Sequence, residues 1–287
     1  MTKRNALTLC ILLVYATTLP LSNVVNASER KDPILAVIDF YPFGYWSEIE
    51  GSGAEGSEDK KAKGMAFDIA DVIEKYSGIT IDARLMSTPR AIRSASVGQN
   101  DLLFSYKDDL MVPNVTWLGN VGCLVPLIVP RIGSEINVLA DLNKNKKIGY
   151  VRLGYFDVAQ KDHWHINPVP LNDNLLMVKM LVRKRIDAIV INNAVLNAFL
   201  THPDIIEDLP NKWPLDLSRP IPLKQFETHI SISNDSPFLH LAPQLKKAII
   251  AARADHQFSQ IFKKYGSARG GHCYSQKEID ENSWLTH

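Results

Sequence analysis

Two arginines are the side chains of this chain best suited to hold an anionic solute. Arg90 follows Ser87-Thr88-Pro89 at a predicted loop-to-helix start, where its guanidinium could fork onto a carboxylate or phosphate. The alternative is a surface arginine whose stem lies over its own helix. Arg152 and Tyr155 flank Gly154 at a second predicted helix start, where backbone N–H groups favour anions.

Aromatic side chains follow the first predicted strand. Tyr41 and Phe43 alternate, so in an extended segment they would share one face. There they could wall a cleft and stack on a planar or apolar part of a ligand, whereas the alternative is ordinary packing. Tyr106 is a candidate of the same kind.

Patterns that indicate catalysis or a cofactor are sparse. His163 and His165 form an i, i+2 pair, but a zinc site needs further ligands and none is near in sequence. Neither a Gly-x-Ser-x-Gly elbow nor a glycine-rich phosphate loop is present. The carboxylates available as acids or bases are Asp39, Asp68, Asp108 and Asp109. Binding without a metal or cofactor is therefore favoured over catalysis.

Residues 1–27 match an export signal. Lys3 and Arg4 precede an apolar run at 6–14, and Val25-Asn26-Ala27 supplies small residues before the predicted cleavage point. The apolar stretch is interrupted too early for a permanent membrane helix. We therefore expect a soluble periplasmic protein, cut after Ala27.

The charge balance does not favour a nucleic-acid partner. The chain has 287 residues and a net charge of +1 at pH 7, and cleavage would remove Lys3 and Arg4 but no acid. A nearly neutral chain without a basic stripe gives no indication of a nucleic-acid partner. We expect a monomer that binds a small molecule.

Two cysteines, Cys123 and Cys273, remain after the predicted cleavage. Exported proteins seldom keep free thiols, because their compartment is oxidising. A disulfide between the two would tie a late segment back to a mid-chain strand. The alternative is two unrelated thiols.

Strands and helices alternate along the chain, which predicts an α/β fold with mainly parallel sheets covered on both faces. Apolar stripes at helical spacing predict three helices, around residues 69–76, 175–182 and 245–252. Gly78 would end the first, and Asn172 or Asp173 would cap the second. The predicted strands are 34–38, 79–85, 102–105, 124–130, 147–151, 186–191 and 229–233.

Over residues 32–266 the sequence resembles the bacterial extracellular solute-binding family 3, whose members serve polar amino-acid importers. The resemblance lies in the order and spacing of several short motifs. They are the first strand running into Phe40-Tyr41-Pro42-Phe43, then Gly64-Met65-Ala66-Phe67-Asp68-Ile69-Ala70, Gly98-Gln99-Asn100-Asp101-Leu102, Lys146-Lys147-Ile148-Gly149-Tyr150-Val151, Arg185-Ile186-Asp187-Ala188-Ile189-Val190, and Phe258-Ser259-Gln260-Ile261-Phe262-Lys263-Lys264-Tyr265-Gly266.

The resemblance implies a two-lobed periplasmic binding protein of type II, with two crossing hinge segments between α/β lobes. The first lobe would combine residues 28–119 with 225–287, and the second would be 120–224. A ligand held between the lobes would stabilise the closed state, because it contacts both at once.

The family's charged contacts to amino acids are missing at the matching positions. Members commonly hold the ligand carboxylate with an arginine in a Thr-x-x-Arg turn, where this chain has Ser105-Tyr106-Lys107-Asp108. They hold the ammonium with an aspartate where this chain has Asn192-Asn193. A standard α-amino acid bound in the usual way is therefore not expected. The expected ligand contacts are Tyr41, Phe43, Arg90, Ser105, Tyr106, Arg152, Tyr155 and Asn192.

Three functions fit this resemblance. The first is a periplasmic binding protein that captures a small polar or anionic solute and delivers it to a membrane permease of an ABC importer. The second couples the closed form of the same scaffold to a membrane sensor. The third is a periplasmic dehydratase-like enzyme, which would need two cleft carboxylates with raised pKa values.

Overall fold

A computed structural model describes residues 30–48, 60–110, 112–152, 166–201, 217–267 and 270–280. The predicted export signal, Tyr155, His163 and His165 lie outside these ranges. Within them, no helix is long and apolar enough to cross a membrane.

Twelve strands and seven α-helices make up the described part of the chain. The strands are β1 Ile34–Ile38, β2 Tyr45–Glu48, β3 Lys60–Lys63, β4 Asp82–Met86, β5 Leu102–Tyr106, β6 Val115–Leu124, β7 Pro126–Pro130, β8 Lys147–Val151, β9 Asn167–Leu171, β10 Ala188–Asn192, β11 Ile221–Pro222 and β12 Phe226–Ser233. The helices are α1 Met65–Ser77, α2 Thr88–Ser96, α3 Asn174–Val182, α4 Asn193–Thr201, α5 Ala242–Ala254, α6 Gln257–Lys264 and α7 Gln276–Asp280.

The strands form two five-stranded sheets and one hairpin. The first sheet has the order β4-β1-β5-β12-β6, the second has the order β11-β7-β10-β8-β9, and β2 pairs with β3. In the first sheet β1 is parallel to β4 and β5, whereas β12 is antiparallel to β5 and β6. In the second, β8 is parallel to β9 and β10, whereas β7 is antiparallel to β10 and β11. The α/β class is confirmed, and each sheet has one parallel and one antiparallel side.

Alternation along β1 explains how the first sheet is covered on both faces. Leu35 and Val37 point into the cluster that contains α1, while Ala36 points into a smaller cluster with Ala91 and Ala95 of α2. Successive side chains of a strand point to opposite faces, so a continuous apolar strand can bury both. We call the first sheet with α1, α2, α5 and α6 the first lobe, and the second sheet with α3 and α4 the second lobe.

The helix-end signals in the sequence are confirmed. Gly78 ends α1 in the left-handed region, with φ 70°, and its N–H donates to Glu74 O. Asp173, rather than Asn172, caps α3, because its carboxylate accepts a hydrogen bond from Leu176 N at 2.7 Å.

Five strands were not predicted from the sequence: β2, β3, β6, β9 and β11. In β6, Gly119 and Gly122 weaken the strand pattern, yet a Cβ at either would come within 2.7 Å of Ile249 or Phe262. These glycines let α5 and α6 pack close to the sheet. β9 contains Pro168 and lies at an edge of the second sheet, where a missing N–H is tolerated.

The chain passes between the two sheets at two described segments that lie side by side. Val125 joins β6 to β7, and residues 223–225 join β11 to β12. Leu223 N donates to Pro126 O at 2.8 Å and so connects the two segments. The first predicted lobe boundary, at 119/120, falls inside β6, because this strand was not recognised in the sequence.

The predicted disulfide is confirmed. Cys123, at the end of β6, is bonded to Cys273 with a Cα–Cα distance of 4.9 Å. The C-terminal segment makes two further backbone contacts beside it: Cys123 N donates to Gly271 O at 2.9 Å, and Tyr274 N donates to Gln225 Oε1 at 2.8 Å. The segment is therefore attached to both places where the chain crosses between the sheets.

Removing the disulfide should destabilise the protein by roughly 2–5 kcal/mol, because the crosslink restricts a long loop of the unfolded chain. We expect the double variant Cys123→Ala/Cys273→Ala to unfold at a lower denaturant concentration than the oxidised protein. Wild-type protein under reducing conditions is the matched control and should behave like the double variant. Equal midpoints for the oxidised protein and the double variant would contradict this prediction.

Candidate ligand-binding cleft

A cavity of about 90 Å³ lies between the two sheets. It sits where parallel strands end: Ile38 closes β1, Tyr106 closes β5, Val151 closes β8 and Asn192 closes β10. The carboxyl ends of parallel strands share one edge of a sheet, which is the usual place for a ligand in α/β folds. The lining residues are Ile38, Phe40, Phe43, Thr88, Ile92, Phe104, Ser105, Tyr106, Leu124, Phe226 and Thr228 from the first lobe, and Pro126, Val151, Val190, Ile191 and Asn192 from beyond Val125.

Four of the predicted contacts line this cavity: Phe43, Ser105, Tyr106 and Asn192. The Phe43 ring lies 5.8 Å from the Phe104 ring, and the Tyr106 ring meets Phe226 edge-on at 4.1 Å. These aromatic pairs fix the walls on the first lobe. The fold thus brings predicted residues from the ends of two distant strands into one cavity wall.

Asn192 combines a structural contact with its place in the cavity wall. Its Oδ1 accepts a hydrogen bond from Val195 N at 2.9 Å and so caps α4. The next residue, Asn193, holds Val125: Asn193 Oδ1 accepts from Val125 N at 3.0 Å, and Asn193 N donates to Val125 O at 2.9 Å. The start of α4 is therefore fixed to the first crossing point.

Tyr41 does not line the cavity, although it was paired with Phe43 in the prediction. The segment from Phe40 to Gly44 is a tight turn, with Phe43 N donating to Phe40 O at 2.7 Å, so the alternation of an extended chain does not apply. Tyr41 instead stacks on Phe199 of α4, with ring centroids 6.1 Å apart. It packs the first lobe against the second, and Phe40 takes a place in the wall.

Arg90 and Arg152 are both exposed and neither lines the cavity. Thr88 and Ile92 of α2 face the cavity, and Arg90 lies about 200° around the helix from each. Arg152 follows Val151 directly, and its N–H donates to Leu171 O at 3.0 Å. Arg90 is thus a surface arginine, which was the alternative considered for it. Tyr155 lies outside the described residues.

The described lining contains neither an acidic nor a basic side chain. Its polar groups are hydroxyls and one amide. Ser105 Oγ donates to Tyr106 O at 3.2 Å, and Thr228 Oγ1 donates to Gly122 O at 2.9 Å. Each hydroxyl oxygen can still accept a hydrogen bond.

Three of the aspartates considered as acids or bases are engaged elsewhere. Asp68 pairs with Lys264 at 2.7 Å, Asp108 accepts from Leu110 N at 2.9 Å, and Asp109 accepts from Trp117 Nε1 at 2.7 Å. Within the described ranges, no group of three His, Cys, Asp or Glu side chains is placed to hold a metal ion.

Asp39 lies between two lining residues, Ile38 and Phe40, and is itself exposed. Partial desolvation raises the pKa of its carboxyl, and repulsion from Asp173 raises this pKa further. Asp173 belongs to the second lobe, so two negative charges approach each other across the edge of the cleft.

The sequence missed several wall residues, including Thr88, Phe226 and Thr228. The signal for the last two was present: β12 begins at Phe226, three residues before the predicted start at 229, and alternation places Phe226 and Thr228 on one face. The start of β12 was missed because Glu227 and Thr228 are polar.

Replacing Asp39 with asparagine should stabilise the protein at neutral pH. A carboxyl whose pKa is raised on folding destabilises the folded state once it is ionised, and this cost disappears below the unfolded-state pKa. We expect Asp39→Asn to raise Tm by about 1 °C at pH 7, because exposed charge pairs contribute little, and to leave Tm unchanged near pH 3.

The matched control is the same change in an Asp173→Asn background, where part of the repulsion is already gone and the gain should be smaller. A lower Tm for Asp39→Asn at pH 7 would show that the two carboxylates do not repel across the cleft.

No family model matches the sequence, and no curated protein matches it either. Solved structures with a similar fold are found at low sequence identity. The substrate-binding protein AbpA of an amino acid ABC transporter from Streptococcus pneumoniae, bound to L-arginine, is 16% identical with a TM-score of 0.63, over 84% of this chain and 96% of that chain.

Two further similar structures belong to different functional settings. The GluR0 ligand-binding core from Nostoc punctiforme, in complex with L-glutamate, is 17% identical with a TM-score of 0.63, over 81% of this chain and 98% of that chain. The ancestral amino acid-binding protein AncCDT-1, a precursor of cyclohexadienyl dehydratase, is 13% identical with a TM-score of 0.64, over 82% and 95%. The chain therefore has the two-lobed fold of these binding proteins.

Proposed function

We propose that this protein is a divergent member of the extracellular solute-binding family 3, exported to the periplasm by residues 1–27. There it captures a small solute between two lobes and delivers it to an ABC importer, acting as a monomer. The observation that carries this proposal is the cavity at the meeting point of four strand ends, walled by side chains on both sides of Val125. The similarity in fold to an amino acid ABC transporter's substrate-binding protein supports it.

The two crossing segments support a hinge between the lobes. The first lobe combines the chain before Val125 with the chain after Gln225, and the second lobe lies between them. A solute that contacts Tyr106 on one lobe and Asn192 on the other stabilises the closed arrangement, because it loses one set of contacts when the lobes separate.

The size of the cavity supports this motion. An engineered cavity that binds benzene measures about 150 Å³, whereas the cavity here measures about 90 Å³. A solute with more atoms than benzene must therefore enter while the lobes are apart, and closure then adjusts around it.

A sensor role on the same scaffold is the second candidate. It is supported by the similarity in fold to a GluR0 ligand-binding core. The enzyme alternative is supported by the similarity to a dehydratase precursor, but it requires carboxylates in contact with substrate. The described cavity wall offers none, so capture is the stronger proposal.

A thermal-shift screen with residues 28–287 tests the proposal. Amino acids, organic acids, neutral aromatic compounds and short peptides would be compared, because a ligand that binds the folded form raises Tm. We expect at least one class to raise Tm and to reduce the radius of gyration measured by small-angle X-ray scattering. A screen in which every compound leaves both quantities unchanged would contradict solute capture.

A variant that fills the cavity should abolish the response. Val190, 8% exposed, lines the cavity, and Val190→Phe would occupy its space at a cost of about 1–3 kcal/mol for overpacking. Val97→Phe is the matched control, because Val97 is 53% exposed on the surface. Circular dichroism would verify that both variants fold. An unchanged ligand response in Val190→Phe would place the site elsewhere.

A further inference from the structure

Resting on the proposed capture of a solute, we infer that the captured solute is uncharged, with a flat apolar body and a carboxamide-like polar end. This differs from the polar or anionic solute expected from the sequence. The inference combines three independent observations: the walls of the cavity, the position of the surrounding charges, and the unused hydrogen-bonding groups at the strand ends.

The walls favour a flat apolar body. Phe43 lies between Phe40 and Phe104, with ring centroids 6.0 and 5.8 Å away, and Tyr106 meets Phe226. Aromatic rings arranged in this way interact well with another ring, through offset or edge contacts. Most of the remaining wall is aliphatic, so a ligand with an apolar body gains free energy by leaving water.

The strand ends exclude water but supply no counter-charge. Ser105 and Asn192 are 6% and 4% exposed. Asn192 stands where the resembled family places an aspartate, and Ser105 begins the turn in which that family places an arginine three residues later. A carboxylate or ammonium group buried there loses its hydration and meets only neutral dipoles. The cavity therefore discriminates against both ends of a zwitterion.

The charged groups nearest in sequence lie outside the cavity wall: Arg152 follows the lining residue Val151, but its side chain is exposed. Lys107 follows Tyr106, but its charge acts on Glu227 and His229, which alternate with the lining residue Thr228 on the opposite face of β12. At the edge of the cleft, Asp39 and Asp173 are both acidic. Their field disfavours the approach of an anion.

The polar groups of the wall match a carboxamide. The hydroxyl protons of Ser105 and Thr228 are donated to backbone carbonyls, which leaves their oxygen atoms as acceptors. Asn192 has used Oδ1 to cap α4, so its amide N–H groups are the donors of this side chain that can face a ligand. An uncharged carboxamide can donate hydrogen bonds to the hydroxyl oxygens and accept one from the Asn192 amide at the same time.

Three molecules of nearly identical shape isolate the effect of charge: benzamide, benzoate and benzamidinium. Isothermal titration calorimetry with residues 28–287 at pH 7 should give a Kd for benzamide at least tenfold lower than for the anion or the cation. Phenylalanine, as a zwitterion with the same ring, should bind as weakly as benzoate.

The variant Asn192→Asp introduces one negative charge without removing the helix cap, because aspartate caps helices as well as asparagine. It should strengthen benzamidinium binding at least tenfold and weaken benzamide binding. Asn143→Asp is the control, because Asn143 is an exposed residue of the second lobe outside the cavity wall. This control should leave the order of the three affinities unchanged.

Two results would overturn the inference. If benzoate, benzamidinium or phenylalanine binds the wild-type protein as tightly as benzamide, or if benzamide does not bind, the solute is not selected for neutrality. A charged solute that raises Tm in the broad screen would leave solute capture intact while this inference fails. If neither experiment detects binding, both proposals fail together.

Discussion

The architecture depends on how the chain crosses between its two sheets. The crossings in the described residues are Val125 and residues 223–225, and a hydrogen bond between Leu223 and Pro126 holds them side by side. Asn193 bonds both backbone groups of Val125, so the start of α4 is fixed to the same point. The proposed hinge would bend at these two adjacent connections.

The C-terminal segment reinforces this axis. The Cys123–Cys273 disulfide attaches it beside the first crossing, and the side chain of Gln225 pairs with the backbone of Tyr274 beside the second. Tyr274 and Ile279 are buried in the main core. The segment thus keeps the two crossings together on the first lobe.

Much of the fold could be predicted from local patterns, because β1 is a continuous apolar run and Gly78 marks the end of α1. The disulfide was predicted from the cysteine count and from the predicted export signal. The site was harder to predict, because it depends on orientations that sequence spacing does not contain. Whether Arg90 faces the cleft depends on which residue begins α2, and the turn at Phe40 decides which aromatic ring enters the wall.

The replacement of a family aspartate by Asn192 was visible in the sequence, but its consequence required the structure. Only the surroundings show that no described charge lies in the wall to compensate for it. The neutral groups at both strand ends and the acids at the edge of the cleft both favour an uncharged solute over an anion. The same residue caps α4, which explains why the change from a carboxylate to an amide leaves the local backbone intact.

The central claim is that two lobes close on a solute about the crossing segments. The most direct test is the distance between spin labels on Arg93→Cys in the first lobe and Lys144→Cys in the second, both exposed positions, measured by double electron–electron resonance. The account predicts a broad distribution for the free protein that becomes narrower and shorter at saturating concentrations of a solute that raises Tm. An identical distribution with and without that solute would contradict it.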